Sequence, residues 1–299
     1  MPYTNKRFEE LDVLDDFLIS AIAAVPEIGE AFCRRILSVL LQREIGKIKV
    51  TAQHALPALS PAHRGIRMDV EVEEFRTGTK PPLMNLYDLE PHLQKDLDLP
   101  RHNRFYQAKI DARHLARGER NFSKLPNLFV ITILSFDPFG YDHMMYTIEN
   151  HCAEVHELKY EDGLQFIYFY TEGTKGGNEK IKTMLRYLQH STDDNACDDS
   201  TKELHGYVSQ VKVMPEVRQN YMRFEEIIYY EREDAAKGTK VQDILELLED
   251  YGEVPDSLEK QLEETEDMDL LKKYLKLAAR ADSIDAFLLQ SGLADSCEQ

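Results

Sequence analysis

The chain is poor in cysteine and has no long apolar run. Four cysteines, Cys33, Cys152, Cys197 and Cys297, stand far apart among 299 residues. None falls in a CxxC pair, so neither a zinc site nor a disulfide framework is indicated. A reducing, cytoplasmic compartment is the natural expectation. No apolar stretch approaches the ~18 residues that cross a bilayer, and no membrane partner is expected. The N-terminal MPYTNKRFEELDVLDD lacks an apolar signal core. Ten histidines are present, yet none falls in an HExxH pattern, which removes the common zinc-protease chemistry. There is no GxSxG element, so a serine hydrolase has no support. GTKGG at 173–177 is glycine-rich but lacks the context of a phosphate loop, and no organic cofactor is indicated.

What the chain does have is acid. The formal net charge is −18, with charged residues at 30% and hydrophobic residues at 42%. A uniform surface of that sign repels nucleic acid, because phosphate contacts dominate such affinity. The distribution is uneven. Residues 241–299 carry a net charge of −11, whereas residues 101–124 hold seven Lys/Arg against two Asp/Glu.

The segment just before that basic stretch, Arg67 to His92, is the most informative. RMDVEVEE alternates acidic and apolar residues. A strand turns successive side chains to opposite faces, so Asp69, Glu71 and Glu73 share one face and Met68, Val70 and Val72 the other. Gly78, Pro81 and Pro82 suit a chain reversal. In NLYDLEPH, Asp88, Glu90 and His92 share a face opposite Tyr87 and Leu89. Pairing the two runs puts carboxylates from both strands on one surface. Like charges directly opposite destabilise a sheet, so the cluster calls for a cation, and hard oxygen ligands suit magnesium or manganese. The same pattern also describes a hairpin whose acidic face simply meets water.

In chain order, residues 8–43 are predicted helical and broken at Pro26, which is expected to open the second helix. Asp15 and Asp16 are candidates to face the site. Lys47 to Ala55 reads as a first strand, ended by Pro57 and Pro61. After the acidic hairpin, RHNRFYQAKIDARHLARGER reads as a helix with Phe105, Ala108, Ala112 and Leu115 as its apolar stripe and Gly118 as its stop. Asn127 to Phe136 is an apolar, β-branched run expected to be buried on both faces. Met145 to Ile148 and Phe166 to Tyr170 read as further strands. Helices are expected at 179–190, 199–213, 216–236, 240–250, 256–265, 267–280 and 283–291. Lys237-Gly238-Thr239 is the expected linker. In the tail, Leu245, Leu248, Leu258, Leu262, Leu270, Leu271, Tyr274 and Leu277 are candidate buried positions.

The resulting order is αβββαβ, with an Asp on the second strand and an E-x-(basic) on the third. Those are the parts of a metal-dependent phosphodiesterase. Two carboxylates fix a divalent ion, which lowers the pKa of bound water and neutralises charge on the scissile phosphate. A basic group two positions after the Glu points into the same pocket and stabilises developing charge.

The chain resembles the PD-(D/E)XK nuclease family transposases, a group of recombination-promoting nuclease-like proteins. The resemblance rests on GIRMDVEVEE, NLYDLEPH, LPRHNRFYQAKIDARHLARGERNFSKLPNLFVITILSFDPFG, YTIENHC, FIYFYTEGTKGG and LLKKYLKLAARADSIDAFL. It is collinear from about the first helix to Leu288. It implies an α/β fold with a restriction-endonuclease-like αβββαβ core over residues 1–236, followed by an acidic helical region over 240–299. It implies Mg2+ or Mn2+ as cofactor and double-stranded DNA as partner, and it allows a homodimer. Asp69 matches the family's metal-binding Asp and Glu90 its metal-binding acid. His92 takes the slot held by Lys, or in this branch often by Gln. Arg104, Tyr106 and Gln107 fall in the family's helix motif beside the site, and Arg101 and Arg113 join Arg104 as expected phosphate contacts.

The His92 departure matters because a neutral imidazole, with an ordinary pKa of about 6.5, lacks the charge lysine supplies. Pro91 removes a backbone donor and favours an edge strand. A nuclease-fold protein with weakened or lost cleavage, acting by DNA binding or interaction, is the alternative expectation. A third treats the acidic tail as an interaction or self-inhibitory module directed at residues 101–124.

Overall fold

A computed structural model describes residues 6–56, 66–75, 83–93, 95, 98–115 and 118–293. Pro57, Pro61, Gly78, Pro81, Pro82 and Arg117, and the side chain of Met68, lie outside the described residues.

Among the described residues there are nine α-helices and one six-stranded sheet, a mixed α/β architecture. The chain opens with α1 (Asp16–Ala24) and α2 (Ile28–Leu40). Three strands follow, β1 (Lys47–Leu56), β2 (Ile66–Phe75) and β3 (Leu83–His92). Then come α3 (Leu99–His114), β4 (Asn127–Leu134), β5 (Met145–Ile148) and β6 (Leu164–Tyr170). The strand order is β1-β2-β3-β4-β6-β5. β1, β2 and β3 form an antiparallel meander, β3–β4 and β4–β6 are parallel, and β5 returns antiparallel on β6. Parallel neighbours need a crossover, and α3 supplies the one between β3 and β4.

Chain contacts divide the protein at Tyr221/Met222. In the first unit, α1 and α2 pack on β1 and β2, and α4 (Glu179–Gln189) and α5 (Asp199–Lys212) pack on α2. The buried stripe Phe32, Ile36, Leu37 and Leu40 follows helical spacing. β4 is buried on both faces. Cys33, Cys152 and Cys197 are free thiols, and burial pushes the Cys33 thiol up to about 12.

The second unit has a core of its own. α7 (Asp256–Glu264), α8 (Met268–Ala278), α9 (Ile284–Ser291) and the later turns of α6 (Pro215–Glu249) bury Ile244, Leu248, Leu258, Leu262, Leu271 and Phe287 together. Leu245, Leu270 and Leu277 pack against that cluster half-buried. No helix among the described residues is long and apolar enough to cross a membrane.

Four sequence expectations are corrected. First, α2 opens at Ile28 behind Glu27, whose φ is 64°, so Pro26 lies in the joint between the two helices and not in a first helical turn. Second, α6 runs unbroken through Lys237-Gly238-Thr239. One interior glycine costs a helix only about 1 kcal/mol, and strong helix formers around it carry that cost. Third, β3 is an interior strand despite Pro91. The β2–β3 register runs only from Leu83 to Leu89, so the proline stands just past the end of that ladder. Fourth, the sheet-facing side of α3 is Leu99, Asn103, Tyr106 and Ile110, while Phe105, Ala108 and Ala112 are exposed.

Candidate functional site

The site is built by the β2–β3 hairpin. Its register sets Glu71 opposite Asp88, Val70 opposite Leu89 and Val72 opposite Tyr87. Alternation then lines up Asp69 and Glu71 with Asp88, Glu90 and His92 on one face, as the spacing predicts. That face does not meet water. Asp69 is 8% exposed, Glu71 3%, Asp88 0% and Glu90 6%. α3 lies over β4 beside it, burying Ile110 with Leu86, Leu128 and Val130.

Four buried carboxylates on adjacent strands repel one another and have lost most of their hydration, which costs several kcal/mol per ion in a protein interior unless charge is compensated. Some compensation is visible. Arg113, on the last turn of α3, donates to Glu71. Glu90 Oε1 accepts from the backbone N–H of Asp69 at 3.2 Å, where the β2–β3 ladder has ended. Glu73, farther along, pairs with Lys49 at 3.1 Å. For Asp88, neither carboxylate oxygen has a hydrogen-bond partner of good geometry among the described residues.

Proton affinities follow from these surroundings. Burial, then the charges of Asp69 and Glu71, hold the Asp88 carboxyl well above its ordinary range. Arg113 opposes this, as does Glu90 when it holds the proton that the two would share. Burial, then Asp88 and Asp69, raise Glu90 in the same way, and Asp16 of α1 adds to the effect. Asp16 therefore bears on the site electrostatically, whereas Asp15 is held by Lys6 at 2.8 Å.

His92 continues the same strand face. Its ring meets that of His102 edge-on at 5.4 Å, and His102 meets Tyr106 at 4.3 Å. Gln107 is bonded to Asp111 one turn along α3. Arg101 is 78% exposed and pairs with Asp98 at 3.1 Å, and Arg104 is exposed beside it. The structure thus brings Asp69 and Glu90 into contact and leaves His92 two residues farther along the same strand, against His102. It sets Tyr106 against the histidines, turns Arg101 and Arg104 outward, and turns Arg113 inward onto Glu71.

Three residues escape the sequence reading. Alternation puts Asp88 on the acidic face but assigns it no role. Thr132 pairs with Glu90 in the β3–β4 register and is fully buried, and its hydroxyl accepts from Asn103 Nδ2 at 3.0 Å. The available signals were a single polar residue inside FVITIL and the helical spacing Leu99, Asn103, Tyr106, Ile110.

Among the described residues, no three or more His, Cys, Asp or Glu side chains are grouped as they would be around a metal ion. The donor chemistry still fits a hard divalent cation. The groups are carboxylates and they are buried, which is the donor type such an ion takes. Compared with protein-family models, with curated proteins and with solved structures, the chain matches none of them.

Proposed function

We propose that this chain is a divalent-metal-dependent DNA endonuclease with a restriction-endonuclease-like core. One observation carries the reading: a dry face on two adjacent strands with Asp69, Glu71, Asp88 and Glu90 buried together. Evolution of a merely structural face has cheaper solutions, since apolar residues of similar volume serve as well or better. Asp69 and Glu90 would hold Mg2+ or Mn2+. When bound, such an ion generates a hydroxide nucleophile near neutral pH and neutralises charge on a phosphodiester. His92 extends the face toward the substrate. Arg101 and Arg104, exposed on α3, supply phosphate contacts that need no base sequence. Arg113 keeps Glu71 neutralised, and Tyr106 and Gln107 support the helix beside the site.

The test is nicking of supercoiled plasmid in Mg2+ or Mn2+. Asp69→Ala is expected to reduce the rate by roughly 100-fold or more, the scale seen when a group stabilising the transition state is removed. Equal nicking by wild type and Asp69→Ala would remove the assignment.

A second reading is favoured by His92, whose ring meets that of His102 in the slot where the resemblance expects Lys or, often, Gln. There the fold binds DNA without cutting it. Wild-type binding that weakens steeply with salt, without turnover in either metal, selects that reading.

A further inference from the structure

Midway along α6, between Tyr221 and Val241, large apolar side chains stand on the helix surface. Met222 is 57% exposed, Ile227 56%, Tyr229 58% and Tyr230 59%. A helix that only meets water is polar on its outer face, and an exposed apolar cluster of this kind marks an interaction surface. At about 100° per residue, Ile227 and Tyr230 fall on one stripe with Arg223 and Asp234, in 4-3-4 spacing. All four are exposed. Neither Arg223 nor Asp234 has an ion-pair partner among the described residues. From one end the stripe reads cation, apolar, apolar, anion. Turned end for end, it is its own complement.

We infer that this stripe pairs with the same stripe of a second copy of the chain, antiparallel, about a two-fold axis midway between Ile228 and Tyr229. Arg223 then faces Asp234 of the second copy, and Ile227 faces its Tyr230; the symmetry makes each contact twice. Parallel pairing would set Arg223 against Arg223 and Asp234 against Asp234, which like charge disfavours. A slip of one turn would set Ile227 against Asp234 and break both ion pairs. An unrelated partner would not require the stripe to complement itself, and this selects a second copy as the occupant. Arg223 to Asp234 span about 18 Å of helix, a short contact even with Met222 and Tyr229 at its border, so the dimer is reversible and concentration-dependent. The pairing stands apart from the metal reading above.

The experiment is sedimentation equilibrium of the full chain from roughly 1 to 200 μM. Wild type is expected to dimerise reversibly within that range, and Ile227→Asp to stay monomeric. Arg223→Asp and Asp234→Arg, each alone, set like charges opposite one another twice and are expected to weaken the dimer at least about tenfold. Mixed in equal amounts, the two variants are expected to associate as a heterodimer, because every Asp then faces an Arg. All these positions are exposed, so helix content read by circular dichroism is expected to match wild type. A wild type that stays monomeric throughout overturns the inference and leaves the stripe to a different protein. A dimer that survives Ile227→Asp uses another surface and overturns it too. Charge variants that pair as tightly as wild type, or a mixture that fails to associate, overturn the antiparallel register. Should Ile227→Asp lose helix, the charge mixture decides by itself.

Discussion

Glu74 shows how finely the setting of one side chain decides its charge. Burial alone would raise its pKa, but the Gly46 N–H, Tyr87, Asn85 and Arg43 outweigh burial and hold it below the ordinary carboxylate value of 4.5. A lowered pKa means the folded state holds the ionised form more firmly than the unfolded chain does. The resulting stabilisation is present above about pH 4.5 and is lost as pH falls through the folded pKa. Glu74→Gln is therefore expected to cost about 1–3 kcal/mol at pH 7, with the gap to wild type narrowing below about pH 4. Denaturant melts at pH 7 and pH 3.5 check this, and a gap that stays constant would contradict it. Little of this was readable in the sequence. The period-2 pattern of RMDVEVEE assigns faces to Asp69, Glu71 and Glu73 correctly, but it does not say whether a face is wet or dry. Dryness comes from an element elsewhere in the chain.

That element is α3, where the sequence misleads for a physical reason. Phe105, Ala108 and Ala112 make the more apolar stripe, yet Phe105 is 38% exposed, with Lys109 over its ring. The inward face is Leu99, Asn103, Tyr106, Ile110 and Arg113, because the sheet beneath offers Thr132 and Glu71 as well as Leu86 and Val130. Hydrophobic periodicity finds the face of a helix only when the opposing surface is itself apolar. The starts of three helices are fixed by local chemistry. The Asn178, Asp198 and Ser283 side chains each accept an N–H from the first turn of α4, α5 and α9. The joint between α1 and α2 depends on Gly29, where a Cβ would stand 2.3 Å from the Ala23 carbonyl oxygen. That contact is with backbone and has little room to give. Gly29→Ala is expected to lose about 1–3 kcal/mol in thermal unfolding despite the better helix propensity of alanine, and a gain in Tm would refute the tightness of the joint.

For the whole molecule, the sequence announces a charge imbalance and an amphipathic tail, and the structure adds a separate core built by α6 to α9. Each unit has its own buried cluster, so each is expected to melt as its own cooperative event. Phe287 is fully buried in the second core. Phe287→Ala should cost about 3–5 kcal/mol there and lower one calorimetric transition while leaving the other in place. A single transition moving as a whole would show that the two cores unfold together. The division was hard to read because Gly238 resembles a break, and a long helix absorbs one glycine without ending.

The hairpin register carries a further consequence for how the chain assembles. Glu71 and Asp88 stand opposite each other on consecutive strands, a pairing of short sequence separation and so among the earliest a folding chain can close. The guanidinium that relieves Glu71 belongs to Arg113, 42 positions farther on, and reaches it only once α3 has crossed over. Repulsion therefore falls on the most local step and relief on a distant one.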